Sequence, residues 1–253
     1  MGKVFKDYFV EPDVVELPLG YVDASGEVHK RVRIQEMTGV AEEAIAAPAV
    51  RNNFGKLVSE LLKHCVVEFE GLSGKEVGQA LQALSVGERD LLFLAIRYLT
   101  YGEKVFGETV CPVCGQKHKY VVNLETLAVD DEGEVASVVA FELPKGLREG
   151  KKVLKKGSVK RPTGIEQEKY AQLAQKNVGL WKSYMLTDVV VDLEGKKLDL
   201  IQAKNLSKRD RDYLLEVANS YERVATSDPF TCTCGHTYDV PVLTENFFQD
   251  VSE

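Results

Sequence analysis

Residues 15–46 read VELPLGYVDASGEVHKRVRIQEMTGVAEEAIA, and residues 141–174 read FELPKGLREGKKVLKKGSVKRPTGIEQEKYAQLA. Leu17-Pro18 in the first stretch aligns with Leu143-Pro144 in the second, and Thr38-Gly39 aligns with Thr163-Gly164. Further along, HCVVEFEGLSG (64–74) matches DVVVDLEGKKL (188–198), and LSVGERDLLFLA (84–95) matches LSKRDRDYLLEV (206–217). The series ends with CPVCG (111–115) against CTCG (232–235). The separation shrinks from 126 residues at Leu17 and Leu143 to 120 at Cys114 and Cys234, as short loop deletions would produce. Five matches in one order predict an internal duplication.

Each repeat has the same coarse pattern. Period-two apolar runs flank the turn DASGE in the first and REGK in the second, which predicts a β-hairpin. A helix follows, and Thr163 to Glu166 (TGIE) carries a capping-box pattern. A short apolar strand, VVEF or VVVDL, ends at Gly71 or Gly195; Cys65 is placed in it as a buried thiol. A second helix starts at Ser85 to Glu88 or Ser207 to Asp210, with Leu91, Leu92, Ala95, Ile96 and Leu99 on one buried face. The cysteine element and a terminal strand, KYVVNL or TYDVPVL, close the unit. The expected fold class is α+β: two homologous repeats of hairpin, helix, strand, helix, cysteine knuckle and strand, sharing a zinc-ribbon-like site. The acidic segment 128–137 is the expected junction, so the repeats run over 1–130, with an N-terminal arm, and 131–253.

Composition narrows the function classes. The 253 residues are 44% hydrophobic and 28% charged, an ordinary globular balance, and the formal charge of −7 argues against a broad phosphate-binding face. The basic run 145–161, KGLREGKKVLKKGSVKR, is punctuated by glycine and reads as a solvated hairpin or linker. No secretory h-region and no window of 18 apolar residues is present, so a cytosolic, membrane-free chain is expected. In that reducing setting five cysteines are thiols or metal ligands before they are disulfides.

The repeat supplies partners for the cysteines. Cys111 and Cys114 form one knuckle and Cys232 and Cys234 the other, and four thiolates make a closed structural set for Zn²⁺. Each repeat holds only two ligands, so one structural zinc would clasp the two. Cys232-x-Cys234 has a single intervening residue, tighter than the usual spacing, which leaves His236, and with it His118, as substitute ligands. A redox pair would open a helix after a strand, whereas Cys111 is expected after a helix and before a strand. Buried thiols without a metal are the remaining alternative. His29 and His64 have no partners in spacing and are assigned to the surface or a satisfied core.

No phosphate loop, dinucleotide fingerprint, zincin helix or nucleophile elbow is present, and no reaction is indicated. The aromatic ends, Phe5, Tyr8 and Phe9 at the start and Phe247-Phe248 at the finish, are read as docking elements. The tail would lie on the second repeat or present an anchor to a partner; the N-terminal arm would plug into a larger assembly.

The order of elements resembles the baseplate hub or baseplate-assembly proteins of contractile-tailed, T-even type bacteriophages. The resemblance runs over 17–130 and again over 141–250, and its most specific part is GERDLLFLAIRYLTYGEKV followed by CPVCG. It implies a non-enzymatic role in building or bracing a tail hub within a larger hetero-oligomeric assembly. The implied partners are hub, tube-initiator or tape-measure proteins, in the bacterial host cytoplasm and in the virion tail. The competing reading is a zinc-ribbon module of a cellular regulatory complex, binding protein or, through 145–161, nucleic acid.

Overall fold

The first hairpin shows how a local conflict shapes the architecture. A computed structural model describes residues 3–130, 138–219, 223–243 and 247–248. In it β1 (Phe9–Glu11), β2 (Val14–Val22) and β3 (Val28–Ile34) run antiparallel. Val15 and Leu17 on β2 and Val32 and Ile34 on β3 alternate inward, which buries one face. The β2–β3 register breaks between Glu16 and Tyr21, where Gly20 takes a φ of 81°. A Cβ at Gly20 would sit 2.4 Å from the His29 carbonyl oxygen, so this bulge admits only glycine.

Three helices follow where the sequence pattern predicts one: α1 (Gly39–Ala46), α2 (Pro48–Arg51) and α3 (Phe54–Cys65). Pro48 pushes Ala47 out of the helical region, to a ψ of 135°, and Asn53 restarts the chain by accepting from the Lys56 amide. Cys65 is fully buried but ends α3, rather than lying in the strand, because β4 (Val66–Phe69) begins one residue later. β4 completes a sheet of order β1-β2-β3-β4. Next come α4 (Lys75–Ala83), which the pattern did not predict, and α5 (Val86–Tyr101), capped by Ser85. A hairpin of β5 (Lys104–Val110) and β6 (Lys117–Asn123) ends this half, followed by the short β7 (Val129–Asp130).

The rest of the chain also opens on a hairpin followed by helices, with two helices where the first part has three. β8 (Val138–Glu149) and β9 (Lys152–Lys160) form a hairpin from the basic run, and β10 (Val190–Leu193) adds to β9. The β8–β9 register breaks between Glu142 and Leu147, around Gly146 at a φ of 85°. α6 (Gly164–Lys176) carries the predicted capping box, and Asn177 separates it from α7 (Val178–Val189). α8 (Leu200–Asn205) and α9 (Lys208–Ala218) lead to β11 (Arg223–Val224), which pairs with β7. β12 (Ser227–Thr231) and β13 (Thr237–Pro241) make the last hairpin. Most of the expected junction, residues 131–137, lies outside the described residues.

Two apolar cores result, and the class is α+β with antiparallel sheets. One is built within 141–218, from Phe141, Leu143 and Leu154 on the hairpin and Leu186, Val189 and Leu214 on the helices. The other gathers the first sheet, α3 and α5, together with Val105 and Val122 of the β5–β6 hairpin. It also takes in Val224, Val240, Val242 and Phe247 from the far end of the chain. Phe247 stacks on Phe93 of α5 at 5.3 Å, and Phe248 meets the same ring edge-on. Phe247 and Phe248 therefore pack on the first half, not the second, against the Phe93 ring of α5. The N-terminal aromatics are likewise absorbed: Phe5 and Tyr8 are buried in this core and unavailable to a partner. Among the described residues no helix is long and apolar enough to cross a membrane.

The halves meet where α3 crosses α6. Asn53 Nδ2 donates to the Glu168 carbonyl at 2.9 Å. A Cβ on Gly55 would lie 2.6 Å from the Gln167 backbone, so the crossing requires glycine at that point. Arg89 of α5 is wholly buried beneath it. Its Nη2 donates to Ser59 Oγ at 2.6 Å and Gly55 O at 3.4 Å, and its Nε to Gln167 Oε1 at 3.0 Å. Gly164 lies flat on the guanidinium, with its missing Cβ 2.5 Å from Nη1.

Candidate metal centre

Both cysteine pairs sit at the tips of β-hairpins. β5 leads into CPVCG, so a strand and not a helix precedes Cys111, and β12 leads into CTCG in the same way. The first tip is closed by Cys111 N–H donating to Gln116 O at 2.9 Å and Gly115 N–H donating to Cys111 O at 3.0 Å. The second closes identically through Cys232 N–H to His236 O at 2.9 Å and Gly235 N–H to Cys232 O at 2.8 Å. Gly115 and Gly235 both adopt positive φ, 72° and 87°. The shorter Cys-x-Cys loop thus keeps the knuckle's closing bonds, and the Cys234 amide points at Cys232 Sγ, 3.5 Å away.

The two tips are brought together. Cys111 Sγ lies 3.8 Å from Cys234 Sγ, and Cys114 Sγ lies 3.6 Å from Cys232 Sγ. All four sulfurs fall within 4.8 Å of one another. Four sulfurs placed tetrahedrally at about 2.3 Å from a central ion stand roughly 3.8 Å apart. The donor set therefore fits a metal ion. Cys111 and Cys232 are buried, while Cys114 and Cys234 reach the surface.

Protonation follows from the crowding. The Cys114 amide, then the Val113 amide and the neighbouring thiols, hold the Cys111 thiol down to about 6. Cys114 is pushed up to about 12: the Gln116 amide works the other way but is outweighed by the adjacent sulfurs. Cys234 is also raised, again against an amide, that of His236. Four thiolates repel one another without a central cation, whereas thiols that coordinate a metal are deprotonated outright.

The histidines lie outside the four-sulfur group. His118 Nε2 approaches Cys232 Sγ at 3.1 Å, as a hydrogen-bonding neighbour of that sulfur. His236 stacks on Tyr238. Pairing of the tips is reinforced by contacts the motifs did not signal: Thr233 Oγ1 donates to Gln116 Oε1 at 2.9 Å, and Tyr120 OH to Pro241 O at 2.8 Å. Gly107 leaves room for the Tyr120 ring, which a Cβ would meet at 2.3 Å.

Other chemistry-bearing groups are accounted for locally. His29 is buried, with Nδ1 donating to Glu70 O at 2.9 Å and Nε2 3.3 Å from Asp23 Oδ2. Asp23, Glu27 and His29 form a second group of potential metal donors, but Asp23 Oδ1 is already committed to the turn through the Ser25 and Glu27 amides. Cys65 is pushed up to about 11 by burial and is an inert core thiol. A concavity of about 530 Å³ beside α3 is lined by Ser59, Gln82 and Glu168, which hydrogen-bond to one another.

Compared with known proteins, residues 26–249 match the family model described as T4 bacteriophage base plate protein. No curated protein and no solved structure matches the chain.

Proposed function

Because the chain belongs to the T4 bacteriophage base plate protein family, we propose that it is a non-enzymatic structural or assembly component of the baseplate hub, built from two copies of one module. The modules occupy 1–130 and 131–253, and Cys111, Cys114, Cys232 and Cys234 fasten them through one structural Zn²⁺. Its partners are the hub, tube-initiator or tape-measure proteins of the tail, met in the host cytoplasm and retained in the virion.

The observation that carries the metal is the convergence of four sulfurs from hairpins 118 or more residues apart, at tetrahedral separations. Zinc is the ion a closed four-thiolate set suits best. What supports duplication is the recurrence of special positions. Gly20 and Gly146 mark the same bulge, and Asn53 and Asn177 cap the same helix. Ser85 and Ser207 start the next helix, and Gly115 and Gly235 close the knuckles.

Elemental analysis of the purified full chain tests the clasp. About one zinc per chain is expected, lost in both Cys111→Ser and Cys232→Ser together with thermal stability. Full zinc retention in Cys232→Ser would show that the halves do not share the ion. Co-purification with tail proteins from infected cells tests the assembly role.

A further inference from the structure

The interface between the halves is used once and its parts are present twice. Arg89 binds Ser59 Oγ and Gly55 O; in the second half Arg211 Nη2 binds Ser183 Oγ at 2.8 Å and also the Gly179 carbonyl. In the first half α6 covers this network, and Gln167 accepts from Arg89 Nε. In the second half nothing among the described residues covers it. Arg211 Nε, although shielded from water, has no hydrogen-bond partner among the described residues. Asn177, the counterpart of Asn53, is exposed, as is Gly179, the counterpart of Gly55.

The complementary face is also left open. Thr38-Gly39 starts α1 as Thr163-Gly164 starts α6, and Glu42 stands where Gln167 does. Thr38, Gly39, Val40, Glu42 and Glu43 are all exposed, and α1 packs on α2 and α3 of its own half. The glycines are the decisive detail. Gly164 and Gly55 are glycine because Arg89 and the Gln167 backbone occupy the place of their Cβ atoms. A Cβ on Gly39 would meet nothing within 4 Å, and one on Gly179 only its own Asn177 Oδ1 at 3.4 Å. Neither has the positive φ that would call for glycine. Among the described residues of one chain nothing gives these two glycines a steric purpose.

We propose that the chain self-associates head to tail: α1 of one copy docks on α7 and Arg211 of the next, repeating between chains the contact that α6 makes with α3 and Arg89 within one. Glu42 of the incoming copy faces Arg211, so a carboxylate meets the guanidinium where the internal contact uses an amide. Such a contact is heterologous; it closes into a ring or extends as a filament. The matching of positions rests on the duplication reading, but the fit of α1 to α7 is independent of the metal.

Sedimentation velocity of the zinc-loaded full chain across a concentration series tests it. Wild type is expected to grow with concentration, and Gly39→Leu and Gly179→Leu to remain monomeric with unchanged circular dichroism and zinc content. An equimolar mixture of the two variants retains one functional joint and should stop at a dimer. As a second pair, Glu42→Arg and Arg211→Glu should each weaken association at least about tenfold, and their combination in one chain should restore it. A wild type that stays monomeric with one zinc per chain overturns the head-to-tail contact while leaving the clasp intact. Association unaffected by Gly39→Leu and Gly179→Leu overturns it equally.

Discussion

Arg89 and Asp90 are adjacent in sequence and have opposite fates. Burial lowers the Arg89 guanidinium to about 10, yet every direction around it offers an acceptor, so the charge is kept. Asp90 is half-buried, with Oδ1 cut off from water and without a hydrogen-bond partner among the described residues. Loss of water raises its carboxyl to about 7, against the pull of Arg89 and of a hydrogen bond from Gln167. An acid whose folded pKa lies above its unfolded value, here 3.8, favours the folded state most below about pH 4. That contribution is lost as pH rises through 7. Asp90→Asn removes the titration, so its stabilising effect should be larger at pH 8 than at pH 5 by about 2–3 kcal/mol, read from urea melts at both values. Neither role was legible in the string GERDLLFL, where alternating charges suggest a solvated helix face. What hides them is α6, brought over α5 from more than seventy residues away. The convergence of the four cysteines was legible because a knuckle leaves a spacing in the sequence, whereas a buried arginine leaves none.

Each half contains a strut between the start of its second long helix and its first hairpin. Glu88, three residues into the turn capped by Ser85, accepts from the Leu19 and Gly20 amides at 3.0 and 2.5 Å. Asp210, in the same place after Ser207, accepts from the Lys145 amide at 2.8 Å. The bulges turn backbone amides inward, away from their ladders, and a buried carboxylate satisfies them. Glu88→Ala and Asp210→Ala are each expected to cost about 2 kcal/mol in chemical denaturation, because an orphaned buried amide costs its full desolvation. Glu88→Gln, which keeps an acceptor, should cost clearly less; equal losses for Gln and Ala would refute the strut. The capping residues and the Leu-Pro-x-Gly hairpins were readable, since both depend on local chemistry. The number of helices was not. Pro48, Asn53 and Asn177 break what periodicity joins, α8 is too short to show a period, and in α4 the apolar spacing of Val77, Ala80 and Leu81 is interrupted by Gly78. β5, KVFGETV, was masked by its central glycine and the polar Glu108-Thr109 that follow, so the cysteine pair read as following a helix.

The division of the cores sets how the whole molecule should come apart. The hairpin β12–β13 closes the second half in sequence, yet Val240 and Val242 pack into the first core and Cys232 and Cys234 meet Cys111 and Cys114. The second core, within 141–218, has no share in the knuckles. Local stabilities should therefore follow packing, not chain order. Leu186→Ala empties a fully buried site in the second core and should cost about 2–5 kcal/mol there. By hydrogen exchange, the amides of α7 and β10 should lose protection in that variant, while those of β12–β13 stay as protected as α5. On the proposed zinc clasp, a strong chelator applied to wild type should do the reverse, opening β12–β13 first and sparing α7, because the ion's binding energy would be spent on that hairpin. If β12–β13 instead loosened together with α7 in Leu186→Ala, the hairpin would belong energetically to the half that contains it in sequence, and the four sulfurs could not be what joins it to the first core.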